Sequence, residues 1–561
     1  MNAVMKEEVR VQVNTKQLLN NSRFAFTNRS MILRELLQNG RRAGATRIKV
    51  STPDEETLVV EDDGCGISDM QLLLTVAESG WDEATRESET PYGLGFLSAI
   101  YVAETIRVQS GNKVLAAATA DLLDLKSVTI EVVDTAVAGT RIEVRGGQLR
   151  NVIANTVKMS PHGHYSLSKA VRGFPIPVVY EGVEVERTSA LDNTFEPFRC
   201  GWIRLSLNRI AEDRLSPEIY LQGIQVKSGS YDGVTCHLDC SQFRGRMPDR
   251  DTLVEAEESF RSIKEAIDEF AREKLIQEKQ RMNYEDFIRT YGAVCSKHAQ
   301  FVDLLNDVDY VPASWFRDLT FITCKQEEQD TLKTESGLLT RAELEAGCVI
   351  AVDCDDVETG FMASVFAKAK GAFATDSGIH DPVGRLHCDH WLRRLVNNPD
   401  RSEFTLEIED ERGRASGYVG GYEAEVIACQ AFILSHPTLG VVRVTEENLF
   451  TGNGEWEEEQ EDGDAKPIDY GLVVMTTAAT NTAAQVSTFE VDDYYSEVEE
   501  NAVRTALMRL YAIASQLDPS AVFEIELRGN GMGDLASSQC NGMSFIVTYN
   551  EHGRLISVVK Q

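Results

Sequence analysis

The first 150 residues combine two hydrophobic periods, one typical of helices and the other typical of strands. From Leu33 to Gly40, the residues at i, i+3, i+4 and i+7 form one inward-facing stripe, which predicts a helix. Short β-branched runs between the helical segments predict paired strands. The predicted helices cover Ser30–Arg42, Ser68–Ser79 and Gly95–Val102.

Three strand pairs are predicted in the same region, each as a hairpin. The second is expected to turn at Gly111-Asn112 and the third at Ala138-Gly139. Together with the helices, they indicate an α+β fold in which a mostly antiparallel sheet carries helices on one face. The pairs are Thr46–Ser51 with Leu58–Glu61, Thr105–Gln109 with Val114–Ala118, and Val128–Val133 with Arg141–Val144.

The pattern changes several times along the rest of the chain. Strand-like runs recur between residues 170 and 255, and a long charged helix is predicted over residues 254–282. The last segment predicts a helix at Glu497–Gln516 and strands at Val522–Leu527 and Ser544–Tyr549. The expected divisions are an N-terminal domain at 1–150, an α/β middle domain at 170–285, an α/β region of unassigned role at 286–450, an acidic linker at 451–466 and an α+β C-terminal domain at 467–561.

Composition narrows the class of protein. The chain has 561 residues, 42% of them hydrophobic and 26% charged, which suits a soluble multidomain protein. No apolar run approaches the roughly 18 residues of a membrane helix, and the first residues lack a secretion-signal pattern. Eleven scattered cysteines indicate reduced thiols and a cytoplasmic location. A net charge of −33 argues against nucleic acid as the main partner, although a local basic patch is compatible with it.

Glu35 and Asn39 are four residues apart, so they lie one above the other on a different stripe of the first predicted helix from the apolar one. The amide oxygen of Asn39 suits Mg²⁺, which prefers oxygen ligands. The carboxylate of Glu35 suits the activation of a water molecule that attacks a phosphate. Taken alone, the pair is more typical of a solvated polar face.

Asp62, Gly64 and Gly66 follow a predicted strand. A carboxylate at a strand end can accept a hydrogen bond from an exocyclic amine such as that of adenine, and glycines allow the backbone to approach a flat base. Asp-Gly is also common in ordinary turns that end strands. The motif alone therefore leaves both interpretations open.

Two further motifs complete the set. Gly93 and Gly95 lead directly into a predicted helix, whose N-terminus favours anions because of its free N–H groups and dipole. Thr140 follows Gly139 at the start of a strand, where its hydroxyl could bond a base or a bound water. No G-x-x-x-x-G-K-[ST] segment is present, so a P-loop enzyme is excluded.

The order of the four motifs is more specific than any one of them. It resembles the GHKL superfamily of ATPases, which includes gyrase, the ninety-kilodalton heat-shock chaperone, histidine kinases and the MutL mismatch-repair proteins. Residues 10–145 most resemble the heat-shock chaperone. The runs that carry this resemblance are Lys16–Leu19, Phe26–Leu36, Ala77–Gly80 and Gly93–Ala99.

The resemblance implies an N-terminal GHKL-type α/β sandwich that binds ATP and Mg²⁺. Glu35 is then the expected water-activating base, Asn39 the expected Mg²⁺ ligand, and Asp62 and Thr140 the expected adenine contacts. The other expected nucleotide-binding residues are Gly64, Gly66, Ile67, Gly93, Leu94, Gly95 and Phe96. Residues 78–95 have the character of a lid.

Two features beyond the core motifs bear on this assignment. Family members usually carry an acidic residue three positions after the asparagine, whereas this chain has Arg42, which reverses a charge near the site. The middle domain faintly resembles the ribosomal-protein-like transducer domain of these ATPases, and the resemblance implies that Arg250 reaches the γ-phosphate. Capping of the helix that starts near Thr252 is the alternative role for Arg250.

Two groups of histidine, cysteine and aspartate offer possible metal ligands. One lies between His380 and His390, and the other comprises Cys236, His237 and Cys240. Neither has the two paired ligand sets of a structural zinc site, so packed side chains are the expected interpretation. The acidic run Glu457–Asp464 is expected to be a solvated loop, with a binding tail for a basic partner as the alternative.

The expected function is slow, Mg²⁺-dependent ATP hydrolysis that drives a conformational change, as in a heat-shock-type chaperone. ATP, ADP, protein clients and a second copy of the chain are the expected partners, and no membrane partner is expected. One alternative is an ATP-gated clamp for DNA repair, DNA topology or genome defence. Another is a nucleotide-binding scaffold without hydrolysis.

Overall fold

The computed structural model divides the chain into two compact units, Met1–Leu275 and Ile276–Gln561. It describes residues 10, 12–25, 31–75, 81, 83, 95–157, 167–210, 217–227, 233–246, 252–317, 337–352, 357–376, 382–419, 422–445, 448–452, 471–476, 497–530, 542–550 and 555–561.

The first unit begins with a six-stranded sheet. Strand order across it is β3-β4-β2-β1-β5-β6. Neighbouring strands are antiparallel except for β1 and β5, which are parallel. The strands are β1 (Ile48–Asp54), β2 (Thr57–Asp62), β3 (Thr105–Ala118), β4 (Ile130–Arg145), β5 (Val178–Tyr180) and β6 (Val183–Glu184).

Helices pack on this sheet through an apolar core. The predicted helix over Ser30–Arg42 is confirmed as Met31–Arg42, and its apolar stripe is buried against strand residues such as Ile48 and Leu58. By contrast, only a 3-10 turn, Met70–Leu74, forms within the predicted helix Ser68–Ser79, whose residues 76–79 lie outside the described part. The helices are α1 (Thr15–Ser22), α2 (Met31–Arg42), α3 (Leu97–Val102), α4 (Thr119–Leu123), α5 (Leu149–Val152) and α6 (Leu167–Val171).

The first predicted hairpin is confirmed as β1 and β2, but the other two predicted hairpins are wrong. Their four segments form two long strands, β3 and β4, which pair with each other along their length. Gly111 and Gly139 do take positive φ values of 56° and 66°, yet they produce irregularities in register instead of chain reversals. The reason is that the first half of β3 pairs with the second half of β4, and the second half of β3 pairs with the first half of β4.

A second, five-stranded sheet follows in the order β10-β9-β11-β8-β7. It contains the strand-like runs predicted after residue 200, whereas β5 and β6 join the first sheet although they come after residue 150. The predicted long helix is confirmed as α8. The elements are β7 (Glu196–Phe198), β8 (Gly201–Leu205), α7 (Leu207–Ile210), β9 (Glu218–Leu221), β10 (Ile224–Lys227), β11 (Val234–Leu238) and α8 (Ala256–Arg281).

The second unit is also mixed α/β. Strands β15 and β16 are parallel and are joined through helix α11, while β18, β21 and β22 form an antiparallel sheet. Its elements are α9 (Tyr284–Lys297), β12 (Tyr310–Pro312), β13 (Phe316–Arg317), β14 (Leu338–Thr340), α10 (Arg341–Ala346), β15 (Val349–Val352), α11 (Val357–Lys370), β16 (Phe373–Asp376), β17 (Val396–Asn397), β18 (Thr405–Glu409), β19 (Gly413–Val419), β20 (Tyr422–Cys429), β21 (Ala431–His436), β22 (Gly440–Val444), β23 (Asn448–Gly452), β24 (Gly471–Thr476), α12 (Glu497–Ala514), α13 (Pro519–Asn530), β25 (Phe545–Tyr549) and β26 (Leu555–Lys560).

Near the C-terminus, the predicted helix from Glu497 and the predicted strand ending at Tyr549 are confirmed as α12 and β25. The predicted strand Val522–Leu527 is wrong, because these residues lie in helix α13, where Val522 packs against Ala512 of α12. Residues 523–527 alternate between apolar and charged side chains, which is the period of a strand, so packing against the neighbouring helix outweighed the local pattern. The acidic residues 453–470 lie outside the described part. None of the helices that the structure describes has the length and hydropathy to cross a bilayer.

Two glycines test how closely β4 approaches the end of β2. A side chain at Gly139 would overlap the backbone carbonyl of Asp62, whereas one at Gly44, which has a similar φ of 70°, would meet nothing within 4 Å. Gly44→Ala should therefore lose only the roughly 1–2 kcal/mol of left-handed strain. Gly139→Ala should lose clearly more free energy of unfolding. Equal losses in chemical denaturation would contradict the close contact between β4 and the end of β2.

Candidate functional site

Glu35 is a carboxylate in the interior of the first unit. It lies in the middle of α2 and is only 4% exposed, although charged side chains are rarely buried. Its carboxylate faces the backbone just before α3, where a side chain at Gly95 would overlap Oε2 of Glu35. Gly95, which was predicted as a phosphate contact, therefore also makes room for the predicted base.

The last turn of α2 packs directly on the end of β2. A Cβ atom at Gly40 would lie 2.8 Å from Ile48 Cδ1 and 3.2 Å from Asp62 Cβ, so the missing side chain of glycine allows this approach without displacing either residue. The contact brings the segment that carries Asn39 next to the predicted adenine residue Asp62. Two motifs that are more than twenty residues apart in sequence are thus neighbours in the fold.

Asp62 is a half-buried carboxylate whose partners are backbone groups. Its Oδ1 accepts a hydrogen bond from the N–H of Gly64 at 2.9 Å, and the backbone of Thr140 also bonds to the carboxylate. Burial raises the pKa of Asp62 above its ordinary value, and these two backbone bonds only partly offset that rise. A carboxylate has about four acceptor sites and these two bonds fill only part of them, so Asp62 can also accept a bond from a ligand donor.

The adjacent Asp63 has a different role. Its carboxylate accepts hydrogen bonds from the Thr46 backbone N–H at 2.7 Å, the Thr46 hydroxyl at 2.5 Å and the Arg47 N–H at 3.0 Å. The Thr46 hydroxyl is the main cause that lowers the pKa of Asp63. Asp63 thus holds the start of β1, and the structure separates a structural aspartate from the candidate ligand-binding one.

The two glycines after Asp62 permit close backbone contacts. A Cβ atom at Gly64 would lie 2.6 Å from Ala43 Cβ, and the N–H of Cys65 donates to the Ala43 carbonyl at 2.8 Å. Gly66 has a φ of 74°, and a Cβ atom there would lie 2.7 Å from Ser110 Oγ. The loop is therefore held between the end of α2 and strand β3.

Ser110 is a site residue that the sequence motifs did not indicate. Its hydroxyl accepts a hydrogen bond from the Ile67 N–H at 2.7 Å and donates to the Gly139 carbonyl at 3.1 Å. It also lies opposite the buried Thr140 in the pairing of β3 with β4. Ser110 joins the glycine loop to the Gly139-Thr140 motif, and a single serine next to an expected turn gave no signal of this.

The remaining predicted residues have mixed outcomes. Phe96 is 8% exposed and packs in the core at the start of α3, and Ile67 packs half-buried against the same core. The predicted nucleotide contacts Gly93 and Leu94 and the predicted catalytic Arg250 lie outside the described residues, as does most of the predicted lid. Their assignments stay predictions.

Arg42 contacts the predicted Mg²⁺ ligand directly. Its Nη1 donates to Asn39 Oδ1 at 3.3 Å, and the arginine is half-buried. Asn39 provides the type of oxygen that Mg²⁺ prefers, but a guanidinium on that oxygen repels a cation. The residues therefore fit Mg²⁺ only after Arg42 turns away from Asn39.

The two possible metal groups differ from a structural zinc site. His237 bonds through Nε2 to the Ser189 carbonyl at 2.7 Å and stacks on Tyr220, while the adjacent Cys236 points to the other face of β11. In the second unit, His390 is fully buried, and its Nδ1 accepts a hydrogen bond from the Leu392 N–H. His380 lies outside the described residues.

Within the described residues, one group of three side chains has ligand atoms within 4.8 Å of one another: His387, Cys388 and Asp389. Cys388 and Asp389 are exposed, and Nδ1 of His387 already accepts a hydrogen bond from the Asp389 N–H at 3.3 Å. These consecutive surface residues lack the buried tetrahedral set of a structural zinc centre.

The converging motifs agree with a comparison against protein families. A family model described as histidine kinase-, DNA gyrase B- and HSP90-like ATPase matches residues 27–145. The N-terminal domain is of the GHKL ATPase type. This confirms the predicted superfamily for that part of the chain and implies ATP binding there. A comparison with curated proteins found no match.

Among solved structures, remote similarities are found. The N-terminal domain of a DNA repair protein is 14% identical, with 44% of this chain and 93% of that chain covered and a TM-score of 0.29. The ATPase region of Saccharomyces cerevisiae topoisomerase II is 11% identical, covering 40% of this chain and 76% of that one, also with a TM-score of 0.29. The same region bound to ICRF-187 (dexrazoxane) gives equal identity and score, with 77% of that chain covered. Similarities of this size transfer no function.

The two neighbouring aspartates should respond to pH in opposite ways. The pKa of Asp62 is raised by burial, so its ionised form costs stability at neutral pH, and this cost disappears as pH falls through the raised pKa. Asp62→Asn should therefore stabilise the nucleotide-free protein at pH 7. This gain should shrink as the pH is lowered toward 3.8, the ordinary pKa of an aspartate.

Asp63→Asn is the matched control. The pKa of Asp63 is lowered, so its ionised form adds stability that is present above the ordinary pKa and lost as pH falls below it. This variant should destabilise the protein at pH 7. The measurement is chemical denaturation of both variants over a pH series, and a shift of the same sign for both would refute the distinction.

Proposed function

We propose that this chain binds ATP in its N-terminal domain and hydrolyses it slowly with Mg²⁺, and that hydrolysis drives a conformational change. The observation that carries the proposal is the meeting of α2, the end of β2, the glycine loop and the start of α3 around Glu35 and Asp62. A buried carboxylate beside a glycine at a helix start suits water activation near a phosphate, because the base and an anion-binding backbone lie together.

The two carboxylates serve opposite ends of the nucleotide in this proposal. Asp62, with Thr140 beside it, accepts the exocyclic amine of adenine, while Gly66 leaves room for the base. Glu35 activates the attacking water close to Gly95, where the phosphates bind. The phosphates are proposed to be bound also by Gly93 and Leu94, and the γ-phosphate by Arg250.

Mg²⁺ is proposed to bind through Asn39 Oδ1, where it would neutralise phosphate charge. Because the Arg42 guanidinium now contacts that oxygen, binding of Mg-ATP requires this contact to break. The phosphates offer Arg42 a stronger partner than the amide, since arginine binds phosphate oxygens well.

The finer proposal is a heat-shock-type chaperone that acts on protein clients as a homodimer in the cytoplasm. It rests on the sequence resemblance of residues 10–145 and on the net charge of −33, which disfavours a DNA-binding clamp. Light scattering with and without a non-hydrolysable ATP analogue tests the nucleotide-dependent dimer. Tight binding to DNA at low salt would instead favour the clamp.

Substitution of each carboxylate tests the assignment of roles. Glu35→Gln should bind ATP about as well as the wild type but hydrolyse it about 10²–10⁴-fold more slowly, because a positioned base is lost. Asp62→Asn should weaken ATP and ADP binding alike, because an amide presents its own donor or a single acceptor to adenine. Calorimetry and a phosphate-release assay measure the two effects.

Two results would count against these roles. Wild-type turnover in Glu35→Gln would remove Glu35 from catalysis. Normal ATP affinity in Asp62→Asn would mean that the nucleotide does not bind at the end of β2, and the proposed ATP site would then be wrong.

Gly95 provides a steric test of the same site. In Gly95→Ala the new methyl group overlaps Oε2 of Glu35, so the carboxylate must move while the core around it stays packed. Hydrolysis should fall by about 10-fold or more, since small misplacements of catalytic groups have large effects on rate. Gly182→Ala is the control, because Gly182 lies in the β5–β6 turn with a φ of 83° and nothing within 4 Å, so its alanine adds backbone strain far from Glu35 but no overlap. If both variants hydrolyse ATP equally fast, Gly95 does not set the position of Glu35.

A further inference from the structure

Gln38 is a fully buried polar residue of α2 that the proposed chemistry does not use. Its Nε2 donates to the backbone carbonyl of Gln222 at 2.9 Å, and its Oε1 accepts from Arg41 Nε at 2.8 Å. Burial of an amide is costly unless both of its ends are bonded. Both ends of Gln38 are bonded here, and one partner belongs to the second sheet.

The Gln222 carbonyl lies in the tight turn between β9 and β10. Gln222 and Gly223 have φ values of 55° and 78°, as in hairpin turns whose two central residues are both left-handed. A Cβ atom at Gly223 would lie 2.7 Å from Pro175 Cδ and 3.0 Å from the Gly173 carbonyl. The turn is therefore tightly seated on residues 173–175, which lead into β5 of the first sheet.

The other end of β9 is held by the same connecting segment. Glu218 is buried and forms an ion pair with Arg172 at 2.9 Å, and it accepts a hydrogen bond from Ser189 Oγ at 3.0 Å. A Cβ atom at Gly173 would also overlap the ring of Tyr220 in the middle of β9. The hairpin is thus fixed along its length, so its turn is a firm anchor for Gln38.

The position of Gln38 on α2 makes this anchor relevant to the site. It is three residues after Glu35 and one before Asn39, so any rotation or shift of the helix at Gln38 moves both. We propose that Gln38 is a positioning residue that couples the β9–β10 turn of the second sheet to Glu35 and Asn39. The inference rests on the proposed ATPase function and names the contact through which the second sheet and the ATP site influence each other.

Two substitutions isolate the contact. Gln38→Met fills a similar volume without polar atoms. Gln38→Glu keeps the acceptor for Arg41 but replaces the donor to Gln222 by a second, buried carboxylate oxygen. Each should lower kcat by about 10–100-fold through misplacement of Glu35 and Asn39, whereas the affinity for ATP without Mg²⁺ should stay nearly unchanged because Asp62 is untouched. Gln148→Met, at an exposed glutamine before α5, is the control and should leave both constants unchanged.

Hydrogen exchange distinguishes coupling from a purely structural role of Gln38, because only coupling makes the exchange of the second sheet depend on nucleotide. In the wild type, a non-hydrolysable ATP analogue with Mg²⁺ should change the exchange of residues 217–227, and this change should be absent in both Gln38 variants. Unchanged kcat with an unchanged exchange response in the variants would overturn the coupling while leaving the proposed function intact. Absence of ATP binding by the wild type would overturn the proposed function and, with it, this inference.

Discussion

The close approach of α2 to the end of β2 is the contact on which the rest of the site depends. It is possible because Gly40 has no side chain where Ile48 and Asp62 come within van der Waals distance. This approach places the segment carrying Asn39 beside the carboxylate of Asp62, while the middle of the same helix buries Glu35. A side chain at Gly40 would press on Ile48 and Asp62 at this contact.

Glycines elsewhere in the site also act by leaving space. Gly64 admits Ala43, Gly66 admits the hydroxyl of Ser110, and Gly95 admits the carboxylate of Glu35. Steric room at Gly139 likewise lets β4 approach the carbonyl of Asp62. The motif glycines therefore have a structural function before any ligand binds, and this function is compatible with the nucleotide contacts proposed for them.

Charge is distributed unevenly around this packed centre. Glu35 is buried and Asp62 is half-buried, which favours binding of a ligand that offers donors and a cation. Arg42 on the Asn39 oxygen opposes that cation in the free protein. Gln38 links the same helix to the second sheet through its hydrogen bond to Gln222. Gln38 and Arg42 therefore both restrain the position of Asn39 before nucleotide binds.

The sequence by itself determined some of the local elements and the order of the motifs. Helix α2 and the β1–β2 hairpin follow from hydrophobic period and turn residues, and the spaced motifs were enough to indicate the superfamily. Only the tertiary structure decided that β3 and β4 run unbroken through Gly111 and Gly139, that Val522 is helical, and that Ser110 and Gln38 join distant segments. The physical reason is that strand partners, packing neighbours and buried hydrogen bonds come from residues far apart in the chain, and local period carries no information about them.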